Sequence, residues 1–337
     1  MKIVVDAFGG DNAPASVVEG AFLALRKRDD ITIVLTGDKE KLEKLIGGKT
    51  DRIEIIDAKE VITNDDQPTL AIRQKKDSSL VRAFDLLKEN DDVVGLVSAG
   101  NTGAVLTGAI LKIGRIKGIS RPSLCSIMPT MKDRGVMVCD SGSNVDCKVE
   151  YLLHFAIMAS AYYSVYHSVE SPRVALLNNG VEEHKGNELV KEAYELLKTL
   201  PINFVGNVEA REAMSGDVDV IVADGFAGNI LLKTTEGVAR SMADMIKAEA
   251  KKNIFSMFGA LLMGKFKNIK KKMSLDRYGG ALLLGCKKLV VKTHGSANKE
   301  NFCNTILQVA TLYENKLNER IESLVGEISD KLEKKDD

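Results

Sequence analysis

Tryptophan is absent from the sequence, and aromatic residues make up only 5% of its 337 residues. The sequence also has no excess of either charge, because acidic and basic residues number 47 each and the formal net charge is zero. Proteins that bind nucleic acid usually carry a basic face, and single-strand binders stack bases on aromatic side chains. The composition therefore argues against nucleic acid as a partner.

Cysteine is scarce, and its pattern excludes several classes of site. The five cysteines form no C-x-x-C pair and are odd in number, so neither a disulfide framework nor a zinc motif is indicated. Their apolar settings are typical of inert thiols and do not predict a nucleophile. No apolar run approaches the ~20 residues of a transmembrane helix, and the first residues predict a strand and not a signal peptide. We expect a protein of the reducing cytoplasm without a metal or another cofactor.

Several common catalytic motifs are missing as well. There is no G-x-x-x-x-G-K-[ST] and no G-x-G-x-x-G, so ATPase and dinucleotide-binding functions lack their usual support. There is also no G-x-S-x-G and no H-E-x-x-H, which are the signatures of α/β-hydrolases and zinc proteases.

Short β-branched runs alternate with stretches of helical periodicity along the chain. This alternation predicts βαβ units and a mostly parallel sheet covered on both faces, which is a three-layer α/β sandwich. We expect one such domain over residues 1–333, either undivided or in two close lobes. Long helices are expected at residues 68–88, 229–252 and 297–331. The strands are expected at Ile3–Asp6, Ile31–Thr36, Ile53–Asp57, Val93–Ser98, Leu124–Met128, Gly135–Cys139, Val174–Asn178, Val218–Ala223 and Leu289–Lys292.

Loops rich in Gly, Asn, Ser and Asp follow these strands. Ligands of open α/β sheets bind beyond the carboxyl ends of the strands, so we expect six of these loops to form one polar pocket at one sheet edge. The segment Ser98–Gly103 leads into a helix, whose free N–H groups and partial positive charge suit a phosphate. Each loop taken alone is better explained as a turn, and it is the six together that favour a pocket. The candidate phosphate or substrate ligands are Asp6, Gly9, Gly10, Ser98, Gly100, Asn101, Thr102, Gly103, Asn144 and Gly228.

Four motifs in these loops, taken in order, resemble the bacterial phosphate acyltransferase family. They are Asp6-x-x-Gly9-Gly10-Asp11-x-x-Pro14, Ser98-Ala99-Gly100-Asn101-Thr102-Gly103, Asp224-Gly225-Phe226-x-Gly228-Asn229 and Tyr278-Gly279-Gly280-Ala281. The resemblance extends from Met1 to about Leu317. It implies a homodimer with a fold like those of isocitrate and isopropylmalate dehydrogenases and of phosphate acetyltransferase. It also implies that acyl carrier protein and inorganic phosphate are the partners in forming acyl-phosphate, which a membrane acyltransferase then transfers to glycerol 3-phosphate.

The implied reaction joins a phosphate oxygen to a thioester carbonyl. Phosphate is already an anion, and a thiol leaving group has a pKa of roughly 8.5, so positioning and oxyanion stabilisation matter more than a strong base. Lys185, just before a predicted helix start, is the candidate cation, and Asn229, at another helix start, is the candidate oxyanion donor. Asp224 and His294 are candidates for orienting the reactants. The plain alternatives are a surface charge for Lys185, a helix cap for Asn229 and a turn residue for His294.

Departures from the family pattern are few. Phe8 stands where methionine is usual, Ser143 where alanine is usual, and Val181 where an acidic residue is usual. These differences would alter the shape of the pocket, and they leave Lys185 and Asn229 in place.

An apolar decapeptide at residues 254–263 lies between two groups of lysines. From Ala250 to Leu275 there are seven lysines and no acidic residue. The decapeptide is too short to span a bilayer, but it suits insertion into an interface beside anionic lipid, with a buried hairpin or a dimer contact as the alternative. We therefore expect a protruding helical hairpin over residues 236–276. Its tip would contact the inner face of the cell membrane through Phe255, Phe258, Leu261 and Leu262.

The leading hypothesis is therefore a peripheral membrane homodimer that transfers a long-chain fatty acyl group from acyl carrier protein to inorganic phosphate for phospholipid synthesis. Three alternatives remain open. The first is a phosphate acetyltransferase-type enzyme that uses acyl-coenzyme A, and the second is a non-catalytic membrane-bound scaffold for acyl carrier protein. The third is a decarboxylating dehydrogenase of the same fold, for which the sequence has no evident metal-binding group of carboxylates.

Overall fold

The computed structural model describes residues 1–48, 51–250 and 278–333. Short aliphatic runs form the strands, and several of these are buried along their whole length, as expected when helices cover both faces of a sheet. The strands are β1 (Lys2–Asp6), β2 (Thr32–Gly37), β3 (Ile53–Asp57), β4 (Val93–Ser98), β5 (Ser123–Met128), β6 (Val136–Cys139), β7 (Arg173–Asn178), β8 (Asn203–Glu209), β9 (Val220–Val222), β10 (Ala281–Leu284) and β11 (Leu289–Lys292).

Apolar residues three or four positions apart give most helices one buried face. In α4, for example, Leu80, Phe84 and Leu87 are buried. The helices are α1 (Ala15–Lys27), α2 (Lys39–Ile46), α3 (Pro68–Gln74), α4 (Ser79–Glu89), α5 (Thr102–Gly108, continued by a π-helical turn at Ala109–Ile113), α6 (Val149–His167), α7 (Glu188–Leu197), α8 (Gly225–Ala250), α9 (Lys299–Glu314) and α10 (Leu317–Glu333).

Two of the long predicted helices, at 68–88 and 297–331, are wrong as single helices, whereas the third is one helix that begins at Gly225 and not at Asn229. The stretch 68–88 divides because the side chain of Ser78 accepts a hydrogen bond from the Val81 amide at 3.4 Å and so caps the start of α4. The stretch 297–331 divides at Lys316, whose φ of 52° is left-handed and ends the helical path between α9 and α10.

Eleven strands form one sheet in the order β3-β2-β1-β4-β11-β10-β5-β6-β9-β7-β8. Most neighbouring pairs are parallel, which confirms the predicted class of sheet. Two strands, β8 and β10, were not predicted from the sequence. The strand β10 is antiparallel to both of its neighbours, β11 and β5, and β5 is in turn antiparallel to β6.

These three consecutive antiparallel pairs reverse the direction of the sheet half-way along it. The strands β1 to β4 and β11 run one way, and β6 to β9 run the other way. The loops after β1, β4 and β11 therefore leave from one edge, whereas the loops after β6, β7 and β9 leave from the opposite edge. The prediction that all the polar loops lie at one sheet edge is wrong.

The two faces of the sheet are covered differently. On one face a continuous core joins Ile3 and Val5 of β1 to α1, α2, α6, α7, α9 and α10. On the other face, α3, α4 and α5 pack on Val4 and its neighbours, while α8 packs on Val138 and its neighbours in a separate cluster. The result is the predicted three-layer sandwich. Among the described residues, the cores under α5 and under α8 are separate on the second face, and we call the part of the sheet between them the gap.

The helix α8 begins against the sheet and ends away from it. Gly225, Gly228 and Leu231 are buried, whereas the described side chains from residue 240 onward are exposed or half-buried. The tip at residues 254–263 lies outside the described residues, so the hairpin over 236–276 and the domain limits 1–333 stay predictions. Within the described part of the chain, no helix is long and apolar enough to cross a membrane.

Candidate active site

Asp6, at the carboxyl end of β1, organises the loops on one side of the gap. Its carboxylate is 1% exposed and accepts a hydrogen bond from the Ser98 hydroxyl at 2.7 Å. Burial raises the pKa of Asp6, while hydrogen bonds from Ser79, Ser98 and the amides of Phe8 and Gly9 oppose the rise. Asp6 therefore holds its own loop and the end of β4 together beneath the surface.

The glycines of these loops allow three backbones to pack closely. A Cβ atom on Gly9 would lie 2.7 Å from the Gly100 nitrogen, and one on Gly10 would lie 2.9 Å from the Gly295 carbonyl oxygen. The Gly100 amide donates to the Ser98 hydroxyl at 3.0 Å, which ties the turn to β4. These glycines are thus explained by loop packing, in addition to any role toward a ligand.

The start of α5 is held by Asn101. Its side-chain oxygen accepts from the Ala104 amide at 3.0 Å, and its Nδ2 donates to the Thr63 carbonyl at 3.2 Å. Gly103 packs against Pro68, while Thr102 is exposed at the first turn. Of the candidates in this turn, Thr102 has the side chain that is exposed to solvent.

On the other side of the gap, Asp140 has a role like that of Asp6. This carboxylate is 0% exposed and accepts hydrogen bonds from the amides of Leu124, Gly142, Ser143 and Asn144. It also accepts from the Ser143 hydroxyl at 2.8 Å and from the Asn144 side chain at 2.9 Å. The candidate Asn144 is therefore part of the scaffold that shapes this loop.

The start of α8 lies directly on that loop. A Cβ atom on Gly225 would be 2.5 Å from the Asn144 carbonyl oxygen, and one on Gly228 would be 1.9 Å from the Asp140 carbonyl oxygen. Asp224 caps the helix by accepting from the Ala227 amide at 2.7 Å. Asn229 is exposed, and its side chain lies over Gly142. Asn229 is thus positioned by close packing of the helix start, with its amide group open to solvent.

Lys185 and His294 lie in exposed loops. The Lys185 carbonyl accepts from the Asn178 side chain at 3.0 Å, and Asn187 caps α7 two residues later. His294 Nδ1 lies 2.8 Å from the Ser296 hydroxyl, which fixes the ring within its turn. These two loops leave from opposite sheet edges, so the described chain does not bring Lys185 and His294 together.

A row of side chains crosses the gap on the face of the sheet. Asp6 and Ser98 lie opposite each other, one residue after the pair Val5 and Val97 of β1 and β4. Ser98 pairs with Lys292 of β11, and Lys292 pairs with Ala281 of β10. Ala281 is next to Ser126 of β5. We call these five residues the transverse row. Neighbouring strands are ~4.8 Å apart, so Lys292 and Ser126 are about 10 Å apart along it.

The transverse row connects the two sets of loops that leave from opposite edges. The Ser126 hydroxyl lies 2.8 Å from that of Ser141, which begins the loop held by Asp140. At the other end of the row, Asp6 holds the loop after β1. The loops held by Asp6 and Asp140 are therefore connected across a sheet face, not at a shared edge, while Lys185 and His294 stay apart.

Three members of the transverse row were not predicted as site residues, namely Ala281, Ser126 and Lys292. The charged one is Lys292. It ends β11, is half-buried, and donates hydrogen bonds from Nζ to the carbonyl oxygens of Ala99 and Thr293. Burial lowers its pKa to about 8, with the charge of Lys233 on α8 contributing and Asp11 and Asp6 opposing. A lysine at the end of the apolar strand Leu289–Lys292 is a signal that sequence reasoning can use.

Glycines in the fourth motif shape the start of β10. The Gln308 side chain accepts from the Gly280 amide at 2.9 Å and donates to the Gly280 carbonyl at 3.0 Å. Gly279 has a φ of 83°, and a Cβ atom there would be 2.3 Å from Gln308. This clamp sets the register that places Ala281 beside Lys292.

A groove of about 990 Å³ runs along the flank of α8 that faces away from Lys292. Phe226 and Ile230, four residues apart on one face of the helix, line it, as do Gly186 and Asn187 from the Lys185 loop. Phe226 is 61% exposed, and further along the same helix Val238 is 52% exposed. Asn229 and Lys233 lie on the other flank, toward the transverse row.

The cysteine thiols are poorly suited to nucleophilic attack. All five are free, and burial raises the pKa values of Cys147 and Cys286 to about 12. Both groups are therefore neutral thiols at neutral pH. Across residues 1–48, 51–250 and 278–333, no three His, Cys, Asp or Glu side chains are grouped as metal ligands.

Known protein sequences resemble this chain over almost its whole length. Residues 1–320 match the family model described as fatty acid synthesis protein. A phosphate acyltransferase from Clostridium tetani is 48% identical, over 97% of this chain and 98% of its own length. One from Thermoanaerobacter pseudethanolicus is 45% identical, over 98% of this chain and 100% of its own length.

Solved structures confirm the predicted fold. A phosphotransacetylase from Streptococcus pyogenes aligns with a TM-score of 0.61 at 17% identity, covering 92% of this chain and 93% of that one. A phosphotransacetylase from Staphylococcus aureus aligns with a TM-score of 0.59 at 18% identity, covering 94% of each chain. At such identities the likeness concerns the fold alone.

Family membership, by contrast, rests on sequence identity close to one half across full-length relatives that share one name. The chain therefore belongs to the phosphate acyltransferase family of fatty acid synthesis proteins, and it is an acyltransferase.

Proposed function

We propose that this chain transfers a long-chain fatty acyl group from acyl carrier protein to inorganic phosphate, and that the acyl-phosphate product serves phospholipid synthesis. The observation that carries the proposal is the transverse row, which provides a cation and hydroxyl groups beside the start of α8. A phosphate and a thioester carbonyl both need such groups, and the family name already specifies phosphate and acyl transfer.

The reaction needs positioning more than acid–base chemistry. A phosphate oxygen attacks the thioester carbonyl carbon to form a C–O bond, and the C–S bond then breaks. The proton of hydrogen phosphate ends on the departing sulfur, so no other reactant is consumed. The carbonyl oxygen becomes an oxyanion on the way, and neutral donors aimed at it supply the main catalytic effect.

Asn229 is the proposed oxyanion donor. Asn229 is exposed and is the fifth residue of α8, next to the first turn, where the helix dipole also favours negative charge. Removing one such donor from an acyl-transfer site typically costs about 10²–10³ in rate. Lys185 and His294 are proposed to contact the substrates, and Asp224 is proposed to act by holding the start of α8.

The test is a trapping assay with palmitoyl-acyl carrier protein. We expect the protein to raise hydroxamate above the slow direct reaction of hydroxylamine with the thioester only when phosphate is present, since hydroxylamine traps acyl-phosphate. Asn229→Ala and Lys185→Ala should lower the rate, whereas Asn203→Ala, on the distant edge strand β8, should not. No phosphate-dependent hydroxamate from the wild-type protein would refute the proposed function, and full activity in both variants would refute the proposed residues.

A homodimer is the proposed assembly, and the apolar flank of α8 supports it. Four exposed apolar side chains lie four or eight residues apart along this flank and border the groove, namely Phe226, Ile230, Val238 and Met242. A second copy of the chain packed on this flank would bury them. We expect Val238→Asp with Met242→Asp to produce monomers in sedimentation experiments. Arg240→Glu, on the other flank, is the control, and a wild-type monomer would overturn this assembly.

Peripheral binding to the inner face of the cell membrane is the proposed location, from which the product would pass to an acyl-phosphate:glycerol-3-phosphate acyltransferase. The support is the sequence of the tip, with its apolar residues between lysines. Replacing Phe255, Phe258 and Leu262 together with Asp should abolish binding to anionic liposomes and leave activity in solution unchanged. Leu70→Asp, at an exposed apolar residue of α3, is the control, and unchanged binding by the tip variant would exclude this role.

Acyl-coenzyme A is the alternative donor, favoured by the likeness of the fold to phosphotransacetylases. The same trapping assay with acetyl- and palmitoyl-coenzyme A compares the donors directly. A higher kcat/KM with either of these than with palmitoyl-acyl carrier protein would replace the proposed donor.

A further inference from the structure

Lys292 lies where three loops meet, at the carboxyl end of β11. Its side chain is on the same face of the sheet as Val290, which packs in the core under α3, α4 and α5. Two of its three N–H groups are used by the carbonyl oxygens of Ala99 and Thr293. These bonds hold the ammonium group at the border of the gap, and its third N–H has no further partner among the described residues.

A second lysine faces this ammonium group from the opposite wall of the gap. Lys233 is two turns beyond the start of α8, and its positive charge acts on Lys292 across the gap. Lys233 is exposed and also pairs with Glu236 at 2.9 Å. The two ammonium groups repel one another, and an anion bound between them would be attracted by both.

The floor between these walls is small and offers hydroxyl groups. Ala281 pairs with Lys292 and carries only a methyl group, so it leaves room above the sheet. On the next strand, the Ser126 hydroxyl donates to that of Ser141 at 2.8 Å, because Ser141 donates its own proton to the Leu124 carbonyl, and Ser126 is 9% exposed. The Ser126 hydroxyl can rotate to give this proton to a phosphate oxygen in exchange for its bond to Ser141, and a span of about 10 Å from Lys292 to Ser126 holds one small anion.

We propose that the attacking phosphate binds over Ala281, held by the ammonium group of Lys292 and by the Ser126 hydroxyl, with Lys233 opposite. The inference rests on the proposed function and names the residues that hold the nucleophile. Asn229 lies one turn before Lys233 on the same flank of α8, so the acyl carbonyl would meet this phosphate from the α8 side. Lys185, on the groove side of α8, would then act elsewhere than on the phosphate.

Phosphate binding by the protein alone is the first test, measured by calorimetry with inorganic phosphate and no acyl donor. A hydrogen bond to a charged group contributes about 1.5–3 kcal/mol, so Lys292→Met should weaken phosphate binding about 10- to 100-fold. Lys288→Met is the matched control, because Lys288 Nζ also donates to two carbonyl oxygens, those of Leu87 and Asn90, at 2.8 Å. The control should leave phosphate binding unchanged.

The pH dependence of binding separates a ligand role from a merely structural one. The charged groups that face Lys292 are Asp6 from β1, Asp11 from the following loop and Lys233 from α8. A group with a pKa of about 8 is about nine-tenths protonated at pH 7 and one-tenth at pH 9, whereas an arginine stays charged throughout. Wild-type affinity should therefore fall about tenfold more than that of Lys292→Arg between these pH values. Titration of phosphate itself is common to both proteins and cancels.

Three outcomes would overturn the inference. They are phosphate affinity of Lys292→Met within threefold of wild type, parallel pH profiles for wild type and Lys292→Arg, and a larger loss of phosphate affinity in Lys185→Met than in Lys292→Met. Where Lys292→Met does not fold, judged by circular dichroism, the Lys292→Arg profile decides alone. Phosphate binding that depends on Lys292 in a protein that forms no hydroxamate would uphold this site and refute the proposed reaction.

Discussion

Replacing Asp140 with asparagine should destabilise the protein through one buried carboxylate. Asp140 is fully buried, and its two oxygens accept from three successive residues of the following loop and from the Leu124 amide. Asparagine has the same shape but carries one NH₂ group, which cannot accept. In either orientation of the amide, the hydrogen bonds accepted by one of the two carboxylate oxygens are therefore lost.

The cost can be worked out from the partners. The Gly142 amide bonds to Oδ1 and the Asn144 amide bonds to Oδ2, and neither has another acceptor within the described part of the chain, so one of the two is left unpaired. A buried unpaired N–H costs about 1–3 kcal/mol, and the remaining bonds weaken by about 1 kcal/mol in total when the charge is gone. We expect a loss of about 2–4 kcal/mol in the free energy of unfolding.

Urea unfolding followed by circular dichroism is the suitable assay, since the chain has no tryptophan to report by fluorescence. With an unfolding entropy of ~2.1 cal/mol/K per residue, the same loss lowers Tm by about 3–6 °C. Asp146→Asn is the control, because Asp146 is exposed and close by in the chain. A change below about 0.5 kcal/mol for Asp140→Asn would refute the reasoning, as it would show that this hydrogen-bond network contributes little.

The remaining predictions concern packing, pH and the thiols. Gly228→Ala should destabilise by at least about 1–3 kcal/mol, because the new methyl group overlaps a carbonyl oxygen, whereas Gly237→Ala, in open space on the same helix, should stabilise by about 1 kcal/mol in thermal unfolding. Burial alone would raise the pKa of Asp219, but hydrogen bonds from Arg173 hold it below its ordinary value. That pair therefore stabilises the protein above pH ~3.9 and ceases to do so as pH falls through the lower folded-state pKa, so Asp219→Asn should destabilise at pH 7 and much less in acid, as urea unfolding can measure. Cys147→Ala should keep full acyl transfer in the hydroxamate assay, because the thiol is neutral.

Each of these has a contrary outcome. Equal stability of the Gly228 and Gly237 variants would contradict the close packing of the α8 start. An Asp219→Asn effect that is independent of pH would show that the carboxylate acts through its shape and not its charge. Loss of transfer in Cys147→Ala, with folding retained, would restore an acyl-cysteine intermediate.

The strands that could be predicted from the sequence are those with continuous β-branched or aliphatic runs. The bounds of β3, β4 and β11 agree with the prediction to the residue. The strand β8 was missed because Asn and Gly interrupt it and because it lies at the edge of the sheet, where packing demands less apolar character. The strand β10 was missed because its run is only four residues long and has no β-branched residue.

Missing β10 had a large consequence for the site. Each antiparallel pair reverses the direction of the next strand, so the edge at which a loop emerges depends on how many such pairs separate it from β1. Three pairs separate the two halves, and one undetected strand therefore changed the predicted meeting place of the loops from a sheet edge to a sheet face.

The sequence by itself determined the family, the class of fold and the loops that carry polar residues, because motifs and periodicity are local properties of the chain. It did not determine the start of α8, which begins at Gly225 after the cap Asp224 and not at the predicted Asn229. Only the tertiary structure decided that Asp6 and Asp140 are scaffold carboxylates, and that Lys292, Ala281 and Ser126 are neighbours. Those relations depend on hydrogen-bonded register between strands far apart in the chain, and local sequence does not specify which distant strand will supply the partner.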